Sequence, residues 1–263
     1  IDIKVKINPA LKRVDEMKTE SVSTVSHELR TPLSTVKEGI NLLIDKIPGE
    51  LNEEQAKILA LIRNNINRLI RLISNLLDIS KIESGKLELK NEPLNIPAVV
   101  KDLVSAFEPQ VKEKQLELRA DLPSHGITLD GDKDKIIEIF TNLIGNALKF
   151  TEKGFIEISV KELEHGVECV VADTGIGISQ EDMPMVFNKF QQFGRAPGSG
   201  EKGTGLGLSI VKGLVEALKG TIRAESEIGK GTRIVFTLCG KDKKGLSRAK
   251  SRGSPYGKRT TKP

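Results

Sequence analysis

The chain has 263 residues, 38% hydrophobic and 29% charged, enough apolar material for one large or two modest folded units. Aromatic residues make up 3% and Trp is absent, which argues against base-stacking or sugar-binding platforms. The net charge of +5 does not point to nucleic acid: residues 241–263 hold nine Lys or Arg and one Asp, leaving 32 basic against 35 acidic residues in the rest.

In chain order, residues 1–18 read as a linker that runs into a helix, with Leu11, Val14 and Met17 already in its phase. Val22, Val25, Leu29, Leu33, Val36, Ile40 and Leu43 continue at steps of three and four, so a helix is expected over about 10–46. His27 lies about 200° round from Val25, off this seam and toward water. Glu28 is its neighbour, and Thr31 stands one turn further on the same face. Such an imidazole has a nucleophilic nitrogen, a carboxylate to orient it and room for an approaching protein. A lone surface histidine is more often only that. Pro32, inside the helix, removes one backbone hydrogen bond.

Pro48-Gly49 ends this helix, and Asn52 with Gln55 reads as a variant capping box for a second. That helix carries Ile58, Ile62, Ile66, Leu69, Ile73 and Leu76 and ends near Ser84-Gly85. An antiparallel hairpin cannot hide stripes this long by itself, so two copies are expected to form a dimeric four-helix bundle, making the protein a homodimer.

From Lys86 the pattern changes. Strands are expected at 86–90, 115–120, 127–129, 155–163, 167–172, 221–225 and 232–238, with helices at about 96–113, 133–150, 180–188 and 206–219. Strands interleaved with helices predict an α/β layered unit. Asp132 is the natural N-cap of the helix at 133–150. The stretch 191–207 reads as a long mobile loop, and the basic tail 241–263 as disordered. The expected divisions are 1–18, 19–86, 87–240 and 241–263. Cys169 and Cys239 both fall in apolar strand-like segments and read as buried free thiols of a reducing compartment. With no membrane-length apolar run and no signal peptide, a cytoplasmic location is expected. The chain begins at Ile1 without Met, so it reads as a fragment, with membrane contact only through a sensor segment upstream.

Four short elements of the α/β unit stand in a telling order. On the helix after Asp132, Asn142, Asn146 and Lys149 share one face, an oxygen-rich ledge suited to Mg²⁺ and phosphates or else a solvated surface. Asp173-Thr174-Gly175-Ile176-Gly177 follows an apolar strand, so a carboxylate able to accept from a purine amino group leaves the sheet into a glycine turn. Phe187 and Phe190 bracket Asn188-Lys189. Gly203-Thr204-Gly205-Leu206-Gly207 then opens a helix, and its amides face an anion. This is neither a dinucleotide fingerprint nor a Walker A loop.

Together with Ser26-His27-Glu28-Leu29-Arg30-Thr31-Pro32, these elements resemble the transmitter core of sensor histidine kinases over about residues 15–240. They correspond to its H, N, G1, F and G2 boxes in the family's order. The resemblance implies a phosphotransfer hairpin followed by an ATP-binding α/β sandwich of the type shared with gyrase, MutL and heat-shock chaperones. By position, Asn146 would ligate Mg²⁺, with Asn142 and Lys149 also facing the phosphates of ATP. Asp173 would accept from adenine, with Gly175 and Gly177 shaping that pocket. Gly203, Gly205, Leu206 and Gly207 would form the lid hinge and offer amides to phosphate, with Lys189, Arg195 and Lys202 as lid cations. His27 would be phosphorylated, Glu28 would orient it, and Thr31 would position a hydrolytic water. A receiver-domain aspartate of a response regulator would then accept the phosphoryl group. Gyrase and MutL relatives carry a water-activating Glu where this chain has Asn142, which favours transfer over hydrolysis. His125 and His165 match no box.

Overall fold

The computed structural model describes residues 9–193 and 204–239; of residues 9–21, 23 and 27 it describes the backbone only. Gly203, Arg195, Lys202, most of the expected mobile loop and the basic tail lie outside the described residues. Among the described residues there are five α-helices, one 3₁₀ turn and seven strands.

Helices α1 (Pro9–Ile44) and α2 (Glu53–Glu83) form the hairpin. α1 runs unbroken through Pro32, and the Thr35 hydroxyl donates to the Thr31 carbonyl at 3.2 Å. The capping box forms in both directions: Gln55 N–H donates to Asn52 Oδ1 at 2.8 Å, and Asn52 N–H to Gln55 Oε1 at 3.0 Å. The single apolar seam expected for α1 divides in two. Val22, Leu33 and Ile40 are buried or half-buried, and Ser26 joins them at 3% exposure. Val25, Leu29, Val36 and Leu43 stay exposed, Val25 at 53%. On α2 the division repeats: Ile66 and Leu77 are buried, while Ile58, Ile62, Leu69 and Leu76 are exposed. One stripe of each helix closes the hairpin, and the other forms an uncovered apolar face.

The remaining chain makes a two-layer α/β sandwich. Strands β1 (Glu92–Asn95) and β3 (Thr128–Gly131) pair antiparallel as a ribbon. The main sheet has the order β2 (Glu117–Asp121), β4 (Phe155–Leu163), β5 (Gly166–Asp173), β7 (Gly231–Cys239), β6 (Ile222–Glu227). Only β2 runs parallel to its neighbour. Helices α3 (Ile96–Glu113), α4 (Lys133–Phe150) and α5 (Gly207–Ala217) complete the second layer. Phe140 meets Phe236 edge to face with ring centroids 5.3 Å apart, joining α4 to β7 at the core.

Three local expectations are corrected. Residues 86–90 pair with no strand; Lys90 N–H donates instead to Asp132 Oδ2 at 2.8 Å, and the strand comes later despite Pro93, which an edge position tolerates. The helix expected at 180–188 shrinks to a 3₁₀ turn, Met183–Met185. Pro184 lacks an amide hydrogen there, and the mutual bonds of Ser179 and Asp182 fix a turn instead. Cys239 is exposed at the end of β7, whereas Cys169 is buried, which holds its thiol far above the usual range.

Candidate active site

Asp132 caps α4 as expected, accepting from Lys135 N–H at 3.0 Å, and so fixes where the polar face of α4 points. On that face Asn142 Nδ2 donates to the Glu138 carbonyl at 2.9 Å. The amide is thereby held within its own helix, with Oδ1 turned toward α5. A Cβ built on Gly207 would lie 3.2 Å from Asn142 Oδ1 and 3.8 Å from Asn146 Nδ2. The absent side chain therefore lets the first turn of α5 meet the two amides, and the free N–H groups of that turn face the same space. Asn142 and Asn146 are half-buried. Lys149 Nζ stands 5.2 Å from the centre of the Phe150 ring, one turn along the ledge.

Leu206 is fully buried and anchors the segment before α5. Gly205 adopts φ +70°, and a Cβ there would lie 2.7 Å from the Phe190 carbonyl carbon. Its carbonyl accepts from Phe190 N–H at 2.8 Å, so the two ends of the expected lid are tied together.

Asp173 ends β5. Its Oδ1 accepts from Gly175 N–H at 2.8 Å and from Thr232 N–H at 3.3 Å. Burial pushes the carboxyl above its usual pKa range, against the lowering effect of these two amides. Gly175 passes so close to the end of α4 that a Cβ would lie 2.4 Å from the Phe150 carbonyl oxygen, and at Gly177 (φ +71°) one would lie 2.0 Å from the Glu227 carbonyl oxygen. Sequence reasoning missed Gly231 and Thr232. A Cβ on Gly231 would lie 1.9 Å from the Asp173 carbonyl oxygen, and Thr232 supplies the second amide to the Asp173 side chain. A turn signal was present for Gly231 alone: Gly229-Lys230-Gly231 stands just before a β-branched run.

Not every expected residue gathers here. Lys189 forms an ion pair with Glu83 of α2. His125 faces Glu162 at 2.9 Å and His165 faces Glu164 at 3.7 Å, both on the surface. His27 lies in α1, with its side chain outside the described residues; Glu28 and Thr31 are exposed beside it.

The family described as histidine kinase-, DNA gyrase B- and HSP90-like ATPase matches residues 131–241, and the His Kinase A (phospho-acceptor) domain matches residues 17–85. The chain is 36% identical over 229 residues to sensor histidine kinase WalK of Bacillus subtilis, covering 86% of this chain and 37% of that protein. It is 35% identical over 246 residues to the signal transduction histidine-protein kinase BarA of Escherichia coli, covering 89% of this chain and 26% of that one. Among solved structures it is similar to ShkA in complex with AMPPNP, at 29% identity and a TM-score of 0.71 over 83% of this chain and 45% of that one. The histidine kinase AdeS of Acinetobacter baumannii matches with 28% identity and a TM-score of 0.59, covering 82% of this chain and 98% of that one. The chain thus spans well under half the length of WalK or BarA.

Proposed function

This chain belongs to the sensor histidine kinases, with a phospho-acceptor hairpin followed by an ATPase-type sandwich, and from that premise we propose that it phosphorylates its own His27 from ATP. The supporting observation is the meeting of Gly207 with Asn142 and Asn146, which sets the start of α5 against two side-chain amides on one ledge. A triphosphate needs such a surface. Asp173, a side-chain acceptor at the end of β5, is matched to an adenine amino group.

Mg²⁺ fits the donor set. Among the described residues no cluster of three or more His, Cys, Asp or Glu could hold a metal alone, so amide oxygens and nucleotide phosphates would share it. Asn146 would be the protein ligand, with Asn142 and Lys149 beside it. When bound, the ion supplies charge neutralisation for the phosphates. The chain's own part is placement. The α5 amides and the Asn142/Asn146 ledge hold the triphosphate, Gly205 sets the entry to α5, and Glu28 orients the imidazole of His27. A lone pair of the ring nitrogen then attacks the γ-phosphorus, and the bond to the ADP oxygen breaks.

The phosphoramidate would pass to an aspartate of a receiver domain docked near His27, and Thr31 would position the water that, in a separate reaction, hydrolyses the receiver's aspartyl phosphate to aspartate and inorganic phosphate. The exposed stripes of α1 and α2 support a homodimer whose four helices cover them. Among the described residues no helix is long and apolar enough to cross a membrane.

The test is γ-labelled ATP. Acid-labile, alkali-stable label on the parent and none on His27→Gln supports the reading; hydrolysis with no labelled protein overturns it.

A further inference from the structure

Four residues stand in one row across the main sheet. The register aligns Ile156 of β4 with Asp173 of β5, Asp173 with Thr232 of β7, and Thr232 with Ser226 of β6. Val171, Ile234 and Ala224, each two residues from a member of the row, pack in the core under the helices. Alternation along a strand therefore places the row on that same inner face. Ile156 is fully buried, while Asp173, Thr232 and Ser226 are half-buried, so the row runs out of the closed core into the open site at Asp173.

Ser226 has the most bonds of the four. Its Oγ accepts from Ile178 N–H at 2.8 Å, donates to the Gly231 carbonyl at 2.8 Å and lies 3.0 Å from Thr232 Oγ1. These three contacts fix the protons. A carbonyl cannot donate, so the single hydroxyl hydrogen of Ser226 goes to Gly231. The Thr232 hydroxyl must then give its own hydrogen to Ser226 Oγ, and it keeps only lone pairs for any other partner. Next to it, Asp173 takes Gly175 N–H and Thr232 N–H on the one oxygen Oδ1, which leaves Oδ2 for a ligand. The β6–β7 turn also holds the glycine turn on both sides of Gly177: Gly229 N–H donates to the Ile176 carbonyl at 2.8 Å, and Ser226 takes the Ile178 amide.

We propose that Ser226 is a positioning residue for base selection: by taking the Thr232 proton, it makes Thr232 an obligate acceptor beside the acceptor Asp173. Two neighbouring acceptors suit an exocyclic amino group, which has two hydrogens to give. A base with an oxygen at that position brings lone pairs against lone pairs and is turned away. Without Ser226 the Thr232 hydroxyl rotates, and its hydrogen can serve an incoming oxygen as well as its lone pairs serve an amino group. Ser226 selects the base without touching it.

The inference rests on the ATP reading, and its test separates the two. Titration calorimetry of the full chain with Mg²⁺ gives the affinity ratio of ATP to inosine triphosphate, whose base carries oxygen in place of the amino group. Ser226→Ala should lower that ratio at least fivefold from the parent value. General loosening of the pocket would weaken both nucleotides together and leave the ratio alone. Ser226→Thr keeps a hydroxyl on a side chain suited to a strand and should hold the ratio within twofold. Thr232→Val should lower the ratio as Ser226→Ala does, and the double variant should fall no further, since both changes remove one acceptor. An unchanged ratio in Ser226→Ala or in Thr232→Val overturns the assignment, as does an additive loss in the double variant. A parent that binds ATP no more tightly than inosine triphosphate would overturn the adenine reading of Asp173 itself, and the role of Ser226 with it.

Discussion

Gly207 and Asn142 stand so close that a single added carbon would crowd them: the Cβ position at 207 is 3.2 Å from Asn142 Oδ1. That spacing ties the backbone start of α5 to the amide face of α4. Alanine at 207 would favour the helix by up to about 1 kcal/mol on propensity alone. Gly207→Ala should therefore leave thermal stability unchanged or raised while weakening ATP-analogue binding several-fold. Gly207→Val should weaken it tenfold or more, about 1.4 kcal/mol. Titration calorimetry and a melting curve on the same samples check the separation; a joint loss of stability and binding would point to simple misfolding.

Asp173 carries a burial cost that its two backbone hydrogen bonds only partly offset. Its carboxyl is raised by burial, so the folded state favours the protonated form. The contribution of this group to stability is present in acid and is lost as pH rises from the ordinary carboxylate range through the raised value. Asp173→Asn removes that dependence and keeps an oxygen for Gly175 and Thr232 to donate to, so its melting temperature at neutral pH should equal or exceed the parent's. The proposed adenine contact is stronger with the ionised acceptor, since a carboxylate accepts a hydrogen bond better than a neutral carboxyl does. Parent affinity for ATP should then fall as pH drops through the raised value, at a higher pH than an ordinary aspartate would give, and Asp173→Asn should lose at least tenfold at neutral pH.

The uncovered stripes make a prediction about assembly. Val36→Glu/Leu69→Glu places charge on both exposed stripes without touching Ile40, Ile66 or Leu77, which close the hairpin. Sedimentation should show a monomer for this variant and a dimer for the parent, with the sandwich's melting transition unchanged. A parent that sediments as a monomer at micromolar concentration would remove the bundle.

Thr31→Ala should keep autophosphorylation within about twofold and slow removal of phosphate from a receiver domain at least tenfold, about 1.4 kcal/mol of activation free energy. Phosphatase assays on purified phospho-receiver decide it, and an unchanged rate would exclude the role.

Much of this molecule was legible before any coordinates, because periodicity and capping act locally. α3 and α4 fall on the residues expected, and the Asn52/Gln55 and Asp132 caps form with the bonds their spacing implied. Signals that depend on distant partners failed. Residues 86–90 have the composition of a strand, yet the strand forms at Glu92–Asn95, where Thr128–Gly131 offers a ladder. Cys239 looks like a core thiol in sequence but ends an exposed strand terminus. Thr232 gave no sign of its bond to Asp173, 59 residues away, since nothing local records which strand will lie beside which.

The order of residues alone determined the two-part plan and the chemical types at each candidate position, because helix phase, glycine turns and side-chain chemistry are properties of short segments. Folding in three dimensions decided the rest. It split one apolar seam into a closed and an open stripe, set Gly207 against Asn142, and engaged Glu83 with Lys189 across 106 residues of chain. Those outcomes follow from which surfaces come within a few ångströms of each other, and only packing of the whole chain fixes that.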